Sequence, residues 1–337
     1  MKVISFNSYK GGACRTTTCY NTLPYLAEKM GATAQQPIIV VDCDLDSMGL
    51  TSIFHANEKR AGRGEKLPYS AKHLFVDDAE GINNSMRTGR FTDVREDQYF
   101  KHYEKVGHKL GLEEDGSVLF LGVDENERTI SDDDYADKET FLNSSPAGHL
   151  VHALGRIQDE SKRPKAIIFD CASGVQLTTL AVFMIIDFAV VCMRPSLQFR
   201  IGTRDYLYRM LPGQIKTARK RKERKVVLVP TSVAGEAIVS DDEPNCEELR
   251  ETLDRLRNDT IMSIRKDIVN FIIRESDNVN LGYTLVPDMT ELSCFGLPEV
   301  ERFKWEECLL YKKTQLTAQE QSLNERYNML ASIVAEG

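Results

Sequence analysis

"FNSYKGGACRTTT" (residues 6–18) is the stretch on which the reading of this chain turns. The β-branched run "KVISF" leads into it and "TCYNTLPYLAEK" leads out, so a glycine-rich turn stands between a strand pattern and a helix pattern. Such a turn suits phosphate: its N–H groups converge, its glycines allow close approach, and the helix N-terminus adds a positive dipole. The ordinary pattern is G-x-x-x-x-G-K-[ST]. Tyr9, Cys14, Arg15 and Thr16 occupy its defining positions here, so only the Thr16 hydroxyl follows it. Arg15 keeps a charge but is longer and planar, unlike the compact ammonium of lysine. Cys14 puts a Cβ where loop backbone approaches phosphate. Lys10, Gly11 and Gly12 supply an earlier lysine and two glycines instead.

Outward from that loop, near-continuous apolar runs recur: "PIIVVDCD" (37–44), "SVLFLGV" (117–123), "KAIIFDC" (165–171), "FAVVCM" (188–193), "KVVLVPT" (225–231) and "YTLVP" (283–287). Runs of this kind are expected of strands buried on both faces of a parallel sheet. Helix-like stretches, such as 16–30 and 246–274, alternate with them. The expected fold is α/β, with a doubly wound, mostly parallel sheet and flanking helices. Residues 1–300 are expected to form one domain, with 54–115 as a long insertion lacking periodicity. The acidic segment 124–140 reads as a solvated loop or helix end. Residues 301–337 read as a C-terminal helical extension: Leu316, Leu323, Tyr327, Leu330 and Val334 recur at helical spacing, and the polar face is mixed rather than basic. Packing on the domain's own core is therefore expected rather than a membrane surface.

With 337 residues and 42% hydrophobic content, the chain has ample material for a core. A net charge of -8 argues against a surface built throughout for nucleic acid. The dense basic run "KTARKRKERK" (216–225) is a local exception, read either as a solvated helix end or as a patch for nonspecific DNA through Arg219, Lys220, Arg221 and Lys222. "MKVISF" runs directly into a strand pattern, so a secretory signal is not expected, and no apolar run reaches the roughly 18 residues that a membrane span needs. The eight cysteines form no CxxC pair and no zinc spacing with histidine, so a reduced, cytoplasmic protein is expected. Cys14, Cys43 and Cys171 flank the motifs and read as small buried thiols rather than a redox switch.

Two further motifs follow the loop in order. "VVDCDLDSMGLT" ends a strand in Asp42-x-Asp44, and "AIIFDCASG" ends another in Asp170, with Gly174 four residues on. Together with K-G-G-x-x-R-T-T they resemble the deviant phosphate-loop motifs of the ParA and MinD family of ATPases, in a variant branch whose loop carries arginine and which is associated with bacterial signalling and conflict systems. The resemblance covers about 1–53, 165–205, 226–232 and 283–300.

That resemblance implies a P-loop NTPase fold binding ATP and Mg2+. Loop residues Lys10, Gly11, Gly12, Ala13, Cys14, Arg15, Thr16 and Thr17 would contact the nucleotide, with Lys10 reaching a partner subunit's phosphate in an ATP-dependent homodimer. Thr16, Asp42 and Asp170 would serve the metal and Asp44 the attacking water, the two strand-end roles being interchangeable on sequence; Asp46 would cap the next turn. Gly174 would turn its N–H to the γ-phosphate. Thr231 stands where many relatives carry a base-reading Asn, and Pro287 lies on the loop that covers the adenine, with Pro298 beyond. The implied activity is a dimer switch that recruits an unidentified protein partner, with slow hydrolysis. The altered loop equally suits a non-hydrolysing nucleotide-binding scaffold in an anti-phage defence or signalling complex. A ligase of the same superfamily remains compatible, whereas a nitrogenase-like reductase lacks its cluster cysteines.

Overall fold

The structure, a computed structural model, describes residues 1–55, 70–75, 103–124, 146–159, 163–194, 198–199, 201–203, 206, 225–231 and 309–336. Among these residues there are seven strands, β1 (Lys2–Ser8), β2 (Ile38–Cys43), β3 (Glu104–Lys105), β4 (Val118–Leu121), β5 (Ala166–Cys171), β6 (Phe188–Met193) and β7 (Lys225–Pro230), in the spatial order β3-β4-β2-β5-β1-β6-β7. The α-helices among them are α1 (Arg15–Lys29), α2 (Gly49–His55), α3 (Pro146–Asp159), α4 (Leu177–Phe183) and α5 (Ala318–Glu336). This is the mostly parallel, helix-flanked α/β sheet that the apolar runs predict. The runs that fall on described residues are strands because a segment such as "IIVVDC" has no polar face to offer water, and every residue of β2, β5 and β6 is buried.

Two compact units divide the chain: Met1–Ser5 with Ala27–Ile186, and Phe6–Leu26 with Asp187–Gly337. In the first, β2 pairs in parallel with β4 and with β5, in a register that sets Asp42 opposite Asp170 and Cys43 opposite Cys171. The short β3 pairs antiparallel with β4, setting Glu104 opposite Phe120. The segment expected to be an insertion thus returns at its end to supply a sheet edge. A two-residue strand has too little apolar sequence to show as a run. Ala71–Leu74 adds a single 3-10 turn.

In the second unit β6 and β7 pair in parallel, with Met193 opposite Pro230. Helix α1 contributes Thr18, Asn21 and Thr22 to its buried side, where their side chains bond to the carbonyls of Cys14, Thr17 and Thr18 one turn back. That back-bonding lets polar residues enter an interior without orphaned groups. Helix α5 buries Leu323, Tyr327, Leu330 and Val334 at the predicted spacing, while Leu316 precedes it. Asn21 Oδ1 accepts from the Leu310 N–H, Tyr25 bonds to Asn324, and the Tyr25 and Tyr311 rings meet edge to face. The expected helix at 246–274, the acidic segment 124–140 except Asp124, the strand at 283–287 with Pro287, Pro298, and the basic residues Arg219, Lys220, Arg221 and Lys222 lie outside the described residues.

Candidate functional site

The loop after β1 belongs to the second unit. Helix α1 begins at Arg15, directly after it, and by helix geometry the N–H groups of the first turn have no acceptor inside the helix. Three consecutive carbonyls ahead of that turn are each held by a defined donor. Gly12 O accepts from Arg194 Nε at 2.7 Å, and Ala13 O accepts from Thr231 Oγ1 at 2.9 Å. Cys14 O accepts from both the Thr18 N–H at 2.9 Å and Thr18 Oγ1 at 2.8 Å. The ends of β6 and β7 and the first turn of α1 therefore fix the loop from three directions. Thr231 is in turn tied to the end of β6, its N–H donating to Met193 O at 2.7 Å. Carbonyls held by donors in this way are not left to oppose an anion at the turn.

Cys14 is also unusual in its backbone. Gly12 has φ 79°, natural for glycine, but Cys14 has φ 52° with a side chain attached. A non-glycine residue there carries roughly 1–2 kcal/mol of strain, held by the two bonds onto its carbonyl. Arg15 is buried, and its Nη2 donates to Thr16 Oγ1 at 3.3 Å. The hydroxyl expected to serve a metal thus faces a guanidinium. Lys10, Gly11 and Gly12 are exposed, while Ala13 is buried. A methyl group at Gly202, in the helical stretch after β6, would overlap the Tyr9 ring, so that ring lies against bare backbone.

The acidic strand ends belong to the first unit. Asp42 and Asp170 are fully buried and in register on adjacent strands. Asp42 Oδ2 accepts from the Thr51 N–H and from Thr51 Oγ1, both at 2.8 Å, and Oδ1 accepts from the Asp44 N–H at 3.1 Å. Burial pushes the Asp42 carboxyl up to about 7, Asp170 beside it adds to the rise, and the bonds from Thr51 and Asp44 partly offset it. Thr51 Oγ1 also accepts from the Val123 N–H, joining α2 to the end of β4. Asp44 is mostly buried and accepts from the Ser47 N–H at 3.2 Å. Gly174 has φ 76°, a backbone shape that its lack of a Cβ permits.

Two buried carboxyl groups side by side are a donor set suited to a hard cation. No group of three or more metal-binding side chains occurs among the described residues. Two participants carried little sequence signal. Arg194 directly follows β6, where doubly wound sheets place ligands, and that position was the available clue. Thr51 lies nine residues from Asp42 on another element, and only folding brings it there.

No protein-family model matches the chain, and no curated protein matches it. Solved structures do. The chain is similar to pNOB8 ParA bound to nonspecific DNA, 14% identical with a TM-score of 0.50, over 100% of this chain and 98% of that one. It is similar to the MinC:MinD cell division protein complex of Aquifex aeolicus, 13% identical with a TM-score of 0.52, over 98% of this chain and 96% of that one. The fold is that of the ParA and MinD ATPases.

Proposed function

We propose that the chain binds ATP with Mg2+ and acts as a nucleotide-dependent dimer switch whose closed form recruits a protein partner. The observation that carries this reading is the loop of residues 9–16, whose carbonyls at Gly12, Ala13 and Cys14 are all committed to donors of the same unit. The fold shared with pNOB8 ParA and with MinD supports it.

In this reading Gly11 to Thr17 cradle the phosphates, and Thr17 adds a hydroxyl contact. Thr231, whose hydroxyl is given to Ala13 O, acts by shaping the loop. Thr16, Asp42 and Asp170 would hold magnesium, which when bound screens the charge of the β- and γ-phosphates. Asp44 positions and deprotonates the attacking water, Gly174 offers an N–H to the γ-phosphate, and Lys10 stabilises charge at the partner subunit's nucleotide. Pro287 borders the adenine. Arg219, Lys220, Arg221 and Lys222 are candidates for nonspecific DNA, testable by an ATP-dependent gel shift.

A second reading is favoured by one specific pairing: the Arg15 guanidinium on Thr16 Oγ1 sets a cation beside a proposed metal ligand, and Cys14 holds strained backbone next to it. Both features suit a scaffold that binds nucleotide without cleaving it. Phosphate release with ATP and Mg2+, with Asp44→Ala as control and bound nucleotide identified after denaturation, separates the two. Turnover lost in the variant supports the switch. Intact bound ATP without turnover in either protein supports the scaffold, and absence of bound nucleotide from both removes the nucleotide reading altogether.

A further inference from the structure

The altered loop leaves a question of charge. The position that ordinarily supplies a cation to the phosphates of its own subunit holds Arg15, which is buried and donates to Thr16. Lys10 is exposed, and in the reading above it serves the other subunit's nucleotide. We infer that Arg194, at the end of β6, is the phosphate-binding cation of this site, replacing the missing loop lysine from a different strand; this rests on the nucleotide reading above.

The geometry is that of a guanidinium already anchored at one edge. Arg194 Nε donates to Gly12 O at 2.7 Å, a bond that uses one of the five N–H donors of the fork. The four on Nη1 and Nη2 have no acceptor among the described residues, and the side chain is exposed. Anchoring restricts the guanidinium before any ligand arrives, so less side-chain entropy is lost when the remaining donors meet phosphate oxygens. The same bond occupies a loop carbonyl whose negative end opposes phosphate. A lysine at 194 would have neither the second edge nor the planar fork.

The contact is reinforced independently. Tyr9, one residue before Lys10, rests on Gly202, and Thr231 links Ala13 O to Met193 O, the residue preceding Arg194. The end of β6 and the stretch after it thus touch the loop at Tyr9 and Gly12, Thr231 after β7 holds it at Ala13, and the loop's position fixes that of Arg194. An exposed residue with one backbone bond adds little to fold stability, so its substitution leaves the fold intact, and the salt dependence separates a phosphate contact from the hold on Gly12 O.

The test is Mg-ATP binding by calorimetry with the full chain and Arg194→Gln, over a range of KCl, alongside the melting temperature of each protein without ligand. Removing a charge-assisted phosphate contact should weaken binding by about tenfold to a hundredfold. It should also flatten the salt dependence of the dissociation constant, because one screened charge pair is gone. Unchanged affinity in Arg194→Gln, with the parent chain binding normally, would overturn this inference and leave the nucleotide reading standing. Weakened affinity with an unchanged salt dependence, or with a lowered melting temperature, would mean that Arg194 only shapes the loop, and overturns the phosphate contact. Failure of the parent chain to bind Mg-ATP would overturn both.

Discussion

Replacing Asp42 by asparagine removes one buried charge while keeping the shape of the side chain. In the native protein this carboxyl is raised from 3.8 to about 7 by burial first and by Asp170 second. Between those values the folded chain holds a proton that the unfolded chain has released, so stability falls as pH rises through the interval. Three units at about 1.36 kcal/mol each give roughly 4 kcal/mol in all, of which about 3 kcal/mol is lost between pH 5 and pH 8. Asparagine does not titrate. Its carbonyl oxygen can take both bonds from Thr51, but its amide then faces the Asp44 N–H, which Asp42 Oδ1 accepts at 3.1 Å. Donor against donor costs about 1–3 kcal/mol, and that offset does not vary with pH. The assay is chemical unfolding of both proteins, followed by circular dichroism from pH 5 to pH 8 with chelator present. The stability of the parent chain relative to Asp42→Asn should fall by about 3 kcal/mol over that range. A difference that stays constant, or that grows with pH, would refute the account of this carboxylate pair.

Other substitutions test the loop. Cys14→Gly removes the cost of φ 52° and should stabilise the ligand-free protein by about 1 kcal/mol, read as a higher melting temperature; no gain would mean the strain is absent. Thr231→Val keeps the shape but leaves Ala13 O without its donor at a fully buried site, and should cost about 1–3 kcal/mol together with a loss of nucleotide affinity. Gly202→Ala should displace the Tyr9 ring, and the double variant with Tyr9→Ala should recover most of the loss; additive effects in that cycle would show the two sites to be uncoupled.

Much of the fold was legible because its strands are buried on both faces. A run such as "FAVVCM" has no polar alternation, which places it inside a parallel sheet before any coordinates are known, and the run matches β6 residue for residue. The glycine-rich turn at 9–14 was legible as well, and it lies between β1 and α1 as its spacing predicts. Where signals were weak, the reading missed: β3 is two residues long, too short to show periodicity, and its pairing with β4 depends on the sheet edge being there to receive it.

Local pattern and spacing along the chain determined the α/β class, the glycine-rich turn between β1 and α1 and the order of the acidic strand ends. Tertiary structure alone decided which donors hold the loop, because Arg194 and Thr231 reach Gly12 and Ala13 from strands far along the chain. It also decided the register that sets Asp42 beside Asp170, and with it the proton that the pair retains. Hydrogen bonds and charge coupling act over a few ångströms in space, whereas sequence records only neighbours along the chain; residues 182 positions apart, such as Gly12 and Arg194, meet only once the chain has folded.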